Sequence, residues 1–203
     1  MRSVAGSGRL LPFFVLLASL FTHPVFAHGG MEANEADARS KISDAGAFEW
    51  NEQRKLTWDD FRGQLDPNEP DVTAAATFCG MGFEARPGKN RKLDIRVYNT
   101  FFPEHSWVRQ GEQKESILAH EQGHFDLCEL YTRKLKASLD AANNAGDNSE
   151  NMLADIYKLV MQDYQKRQQQ YEDETHHGII AEAQLQWQNM IARELSDTQY
   201  AMR

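Results

Sequence analysis

One run of this chain admits very few folds. Ile117, Leu118, Phe125, Cys128, Tyr131, Leu135 and Leu139 recur at three- and four-residue spacing, the period of a helix that buries one stripe. Inside that run stands His120-Glu121-Gln122-Gly123-His124. Residues four apart share a helical face. The two imidazoles therefore project side by side, near enough to hold one metal ion. A glycine inside a helix costs about 1 kcal/mol relative to alanine. At position 123 it would let a neighbouring element approach closely beside the two histidines.

Two alternating runs precede this helix. Thr77, Cys79, Met81 and Phe83 point one way with Gly80 and Gly82 between them, and Leu93, Ile95, Val97, Asn99 and Phe101 alternate with Asp94, Arg96, Tyr98 and Thr100. Period two with one apolar face predicts half-buried strands. Arg86-Pro87-Gly88-Lys89-Asn90 between them reads as a turn, so the pair is a β-hairpin. Further upstream, Trp58 and Phe61 in Leu56-Thr57-Trp58-Asp59-Asp60-Phe61-Arg62-Gly63 are expected to plug the edge of the core. Past the first helix, a polar break over 143–149 leads to a second helix with Leu153, Ile156, Tyr157, Val160 and Tyr164, N-capped by Ser149. A third runs from about Ile179 to Leu195 and buries Ala183, Trp187, Met190 and Ile191. The fold class is α+β: a small antiparallel sheet followed by packed helices, one of which carries the histidines.

The N-terminus reads as an export signal. Arg2 and Arg9 precede an apolar run from Leu10 to Phe21, and Val25-Phe26-Ala27 offers small residues where a signal peptidase cuts. The run is too short to cross a bilayer. The expected organisation is a signal peptide over 1–27 cleaved after Ala27, a loose arm over 28–48, and one domain over 49–203. Removing 1–27 takes away Arg2 and Arg9 and no acid, so the formal charge moves from −8 to −10. Such an acidic chain argues against nucleic acid or an anionic membrane as partner. No later segment is apolar for long enough to insert in a membrane. A periplasmic or secreted location follows, and in that oxidising setting Cys79 and Cys128 are expected to pair.

The chemistry centres on the five-residue motif. The HExxH arrangement on a helix is that of zinc metallopeptidases, with His120 and His124 as ligands and Glu121 as general base toward a zinc-activated water. A catalytic zinc takes a third protein ligand and keeps a position for water. His177 is the choice, from the pair His176-His177 at the junction of the second and third helices. Glu174 competes with it, and Asp126, His105 and His176 are weaker alternatives. Asp126 lies two residues past His124 on another helical face and suits a supporting role. Tyr171 and His176 are candidates for stabilising an oxyanion. The strand from Leu93 to Phe101 offers a possible edge on which a peptide substrate adds as a further strand.

Leu118-Ala119-His120-Glu121-Gln122-Gly123-His124-Phe125-Asp126 resembles the signature of a bacterial family known as domain of unknown function 922, described as secreted zinc-dependent proteases. The segment 56–63 agrees, as do Tyr171, Glu174-Thr175-His176-His177-Gly178, Gln184 and Trp187. The likeness spans about 54–195. It implies a zincin-like fold, zinc on His120 and His124, Glu121 as base and His177 as third ligand, with Glu174 contesting that place. The two cysteines are not part of the family's pattern. The expected activity is hydrolysis of peptide bonds in a peptide or protein substrate. Its rivals are a zinc-stabilised envelope scaffold without catalysis and a zinc amidase acting on peptidoglycan peptides.

Overall fold

The alternation in the two apolar runs becomes a long antiparallel hairpin. In the structure, a computed structural model that describes residues 13–14, 46–65, 73–90 and 92–201, β4 (Cys79–Pro87) pairs with β5 (Leu93–Phe101) from Cys79 opposite Phe101 to Pro87 opposite Leu93. Cys79, Met81, Phe83 and Ala85 are buried on one face, as the period of two requires. On the other face Gly82 lies under the Tyr98 ring, where a Cβ would come within 2.8 Å of it. Burial there, with Glu84 nearby, pushes the Tyr98 hydroxyl up to about 12. The turn closes with Gly88 N–H donating to the Lys92 carbonyl at 2.9 Å.

Shorter strands complete the sheets. β1 (Phe13–Phe14) pairs with β4, and β2 (Phe48–Glu49) pairs with the far end of β5, giving the order β1-β4-β5-β2. β3 (Ala75–Ala76) and β6 (Trp107–Val108) form a separate two-stranded ribbon. Apart from the Phe13–Phe14 backbone and residues 46–48, the expected signal peptide and arm lie outside the described residues. Phe48, at the end of the expected arm, belongs to the core: it stacks on Phe101 at 5.1 Å and meets Phe125 edge-on at 6.1 Å. Phe61 reaches Phe101 at 5.6 Å and Trp58 leans on Phe61, so both plug the core edge as expected.

Three helices follow among the described residues: α1 (Glu115–Ala145), α2 (Glu150–Thr175) and α3 (Ala181–Ala201). Ser149 caps α2, its hydroxyl accepting from Met152 N–H at 3.3 Å. α1 is the central element, with β4 and β5 on one side and α2 and α3 on the other. That placement explains a departure from the expected single stripe. Leu127 and Leu130 are as fully buried as Phe125, Cys128, Leu135 and Leu139. A helix covered on two sides is apolar on two sides. Burying each such side chain stabilises by about 1.5–3 kcal/mol, so α1 is the element on which the rest of the core is assembled. None of the described helices is long and apolar enough to cross a membrane.

Two further expectations change in three dimensions. Cys79 and Cys128 meet across the β4–α1 interface, yet they are two buried free thiols rather than a disulfide. A hydrogen bond from Cys128 lowers the Cys79 thiol, and burial pushes Cys128 up. The end of β5 that lies against the motif is not an open edge. Phe101 is paired on one side with Cys79 and on the other with Phe48, while Trp50 N–H donates to the Asn99 carbonyl at 3.1 Å.

Candidate metal centre

α1 and α2 run against each other so that the motif faces the last two turns of α2. His120, His124 and Glu172 converge there, all buried, with a ligating atom of each within 4.8 Å of the others. The two Nε2 atoms are 3.1 Å apart, Glu172 Oε1 is 3.1 Å from His124 Nε2, and Oε2 is 3.3 Å from His120 Nε2. Ligands about 2.05 Å from a tetrahedral zinc are about 3.3 Å from one another. The donor set and its spacing fit such an ion.

Two glutamines decide how the imidazoles are presented. Gln168 Nε2 donates to the Tyr164 hydroxyl (2.8 Å) and the His124 carbonyl (3.1 Å), which leaves its Oε1 to accept from His124 Nδ1 at 2.7 Å. Gln184 Nε2 donates to the Tyr171 hydroxyl (2.8 Å), and its Oε1 lies 3.1 Å from His120 Nδ1. Each Nδ1 therefore carries a hydrogen, and each Nε2 faces the shared point, its lone pair available there once the ring is neutral. Tyr171 holds the ring planes. It stacks on His120 at 4.7 Å and meets His124 edge-on at 5.0 Å. Gly123 makes this possible, since a Cβ there would overlap the Tyr171 hydroxyl. The close neighbour expected from that glycine is Tyr171.

Glu121 is buried on the same helix, and among the described residues its Oε2 has no hydrogen-bond partner. A buried carboxylate oxygen left bare is costly, so a proton donor that the fold itself does not supply belongs there. Thr77 holds the Glu121 main chain, its hydroxyl donating to the carbonyl at 3.2 Å.

His177, expected as third ligand, is not in the converging group. Its Nδ1 is 2.7 Å from Glu172 Oε2, and its side chain is 53% exposed. Glu174 is exposed and accepts from Trp187 Nε1 at 2.9 Å. His176 is exposed at the end of α2, and the His105 ring lies tilted against Phe78 at 5.1 Å. Asp126 accepts from Trp50 Nε1 (2.6 Å) and Gln122 Nε2 (2.8 Å), so it ties the segment before β3 to α1. Tyr171, considered for an oxyanion, is fully buried and already donates to the His120 carbonyl at 3.1 Å.

Glu172 is the site residue that sequence reasoning passed over. The signal was present. Tyr164, Gln168, Tyr171, Glu172 and Thr175 lie at offsets of four, seven, eight and eleven, one face of a helix that continues to Thr175. Placing the 174–178 segment at a helix junction drew attention past the buried acid two residues earlier.

Residues 106–178 match the model of the family described as Bacterial protein of unknown function (DUF922). The DUF922 match holds all of His120, Glu121, His124, Glu172 and His177. It leaves out the 56–63 segment, Gln184 and Trp187, so it is narrower than the likeness read from the sequence. No curated protein and no solved structure matches the chain.

The electrostatics make metal uptake a proton exchange. Burial alone would lower the His124 imidazole, but the charge and hydrogen bond of Glu172 outweigh it and raise it from 6.5 to about 9. His124 of the metal-free protein is therefore protonated at pH 7.5, whereas a metal needs the neutral ring. A divalent ion such as zinc, if it binds this group at pH 7.5, is expected to release about one proton from His124. Titration calorimetry in buffers of differing ionisation heat counts it. A count near zero at pH 7.5, or one that does not fall as the pH is raised past 9, would contradict this picture.

Proposed function

We propose that this chain is a zinc-dependent peptidase of zincin-like fold, exported to the periplasm or beyond, acting on peptide or protein substrates. The observation that carries the reading is the bare, buried Glu121 Oε2 beside a three-ligand group. Structural zinc usually takes four protein ligands, whereas catalytic zinc takes three and keeps a position open. Zinc bound by His120, His124 and Glu172 would supply Lewis acidity toward a carbonyl oxygen and toward water. Glu121 Oε2 accepts the proton of the attacking water and delivers it to the departing amine. Gln168 and Gln184 keep both imidazoles in the tautomer that the site needs, and Tyr171 keeps them from rotating. Ile179 and Ile180, exposed and directly after Gly178, present an apolar pair beside the site to a substrate side chain.

The test is metal removal. Purified protein is expected to carry about one zinc per chain and to cleave members of a mixed peptide library. A strong zinc chelator should abolish cleavage, and stoichiometric zinc should restore it. Cleavage that survives complete removal of metal would end the proposal. One tightly held zinc with no cleavage of peptides or of peptidoglycan fragments would favour the scaffold instead.

A further inference from the structure

α2 ends on three consecutive left-handed residues: His176 at φ 50°, His177 at φ 56° and Gly178 at φ 77°. Glycine is the ordinary residue for such a helix end, because a Cβ makes this backbone region unfavourable. Non-glycine residues held there concentrate at functional sites. What the turn accomplishes here is specific. His177 N–H donates to the Glu172 carbonyl at 3.1 Å, and His177 Nδ1 returns to Glu172 Oε2 at 2.7 Å. One residue gives a main-chain and a side-chain hold on the same glutamate. Gly178 then lies so near His120 that a Cβ would come within 2.9 Å of the His120 side chain.

The three converging side chains are thus supported in parallel. His120 has Gln184 behind it and His124 has Gln168. Glu172 has His177. Resting on the metal-site reading above, we propose that His177 is a positioning residue for Glu172, a donor that fixes the carboxylate toward the metal without ligating it. Partners of this kind orient a ligand and tune its affinity, and removing one typically weakens metal binding by 10–100-fold. The strained turn is the means by which a residue five positions past Glu172 comes back to its carboxylate.

Competition against a chromophoric chelator measures zinc affinity in the full chain and its variants. His177→Gly suits the left-handed backbone and removes the imidazole with its donor to Glu172, so it should bind zinc roughly 10–100-fold more weakly than the native chain. His177→Asn also tolerates that backbone, and its amide N–H can stand where Nδ1–H stood, so it should bind within a few-fold of the native chain. Glu172→Ala, which removes a ligand, should be weaker than either. Native zinc affinity in His177→Gly, with only the melting temperature of the metal-free form lowered, would reduce His177 to a helix cap and overturn the proposal. His177→Asn as weak as Glu172→Ala would overturn it in the other direction, making His177 a ligand. If the native chain binds no zinc, the metal-site reading itself fails.

Discussion

If the chain is the zinc peptidase proposed above, Glu121→Gln is expected to lower peptide hydrolysis by roughly 10²–10⁴-fold while zinc content stays at the native level. Glutamine keeps the size and hydrogen-bonding reach of the side chain and removes only its ability to take a proton. Glu121 is outside the converging ligand group, so the metal has no reason to leave. Nor should the variant be much less stable, since the native Oε2 is buried without a partner among the described residues, so the amide forfeits no hydrogen bond there. Single-turnover cleavage of one identified peptide, measured beside zinc content by elemental analysis, separates the two quantities. A variant that keeps native activity would show that Glu121 is not the base. A variant that loses its zinc would show that the carboxylate holds the ion rather than the proton.

Glu172→Ala is expected to weaken zinc binding by more than the roughly 100-fold upper range for a supporting residue, and to act on the metal-free protein as well. Burial is the largest influence on His124 and pushes its imidazole down; the charge and hydrogen bond of Glu172, with smaller help from Glu121 and Gln168, lift it to about 9. Without Glu172, only the smaller upward pulls of the Glu121 charge and the Gln168 hydrogen bond still oppose burial, so His124 should titrate well below about 9, visible by NMR of the ring protons. The stability consequence has a definite sign. A raised histidine contributes stability that is complete below 6.5 and lost as pH rises through about 9. Glu172 itself is buried, which alone would raise it, but the neighbouring His124 and His120 hold it well below the usual carboxylate range. Its contribution is present above 4.5 and lost as the pH falls toward that lowered value. These are two views of one ion pair. The stability gap between native and Glu172→Ala chains, both metal-free, should be widest between pH 4.5 and 6.5 and should shrink toward pH 9. A gap that grows with rising pH would rule this pairing out.

Most of the scaffold is legible because its signals are local. A period of two over Cys79–Ala85 and Leu93–Phe101 already contains the hairpin, and a period near 3.6 over Ile117–Leu139 contains the central helix. Placing His120 and His124 on one face needs only the helical repeat, and Gly123 announces a close neighbour before that neighbour is known. The third converging side chain obeys no such rule. Glu172 lies 48 residues beyond His124, and what brings them together is how far α2 extends and how it packs on α1. The sequence points to His177, with Glu174 as its competitor, because neither the helix end at Thr175 nor the left-handed turn after it is written in the apolar pattern. The same holds for Gln168 and Gln184, whose amides matter only through the orientation that Tyr164 and Tyr171 impose.

By itself, then, the amino-acid sequence determined the α+β class, the hairpin, the central helix and the His120–Glu121–His124 face, each a consequence of spacing within one element. The tertiary structure alone decided that Glu172 completes the converging group, that His177 stands behind it, and that Cys79 and Cys128 meet as free thiols. The physical reason is that backbone geometry relates side chains one turn apart. Contacts between α1, α2 and β4 depend instead on how whole elements bury their apolar faces against one another, and no short stretch of sequence carries that.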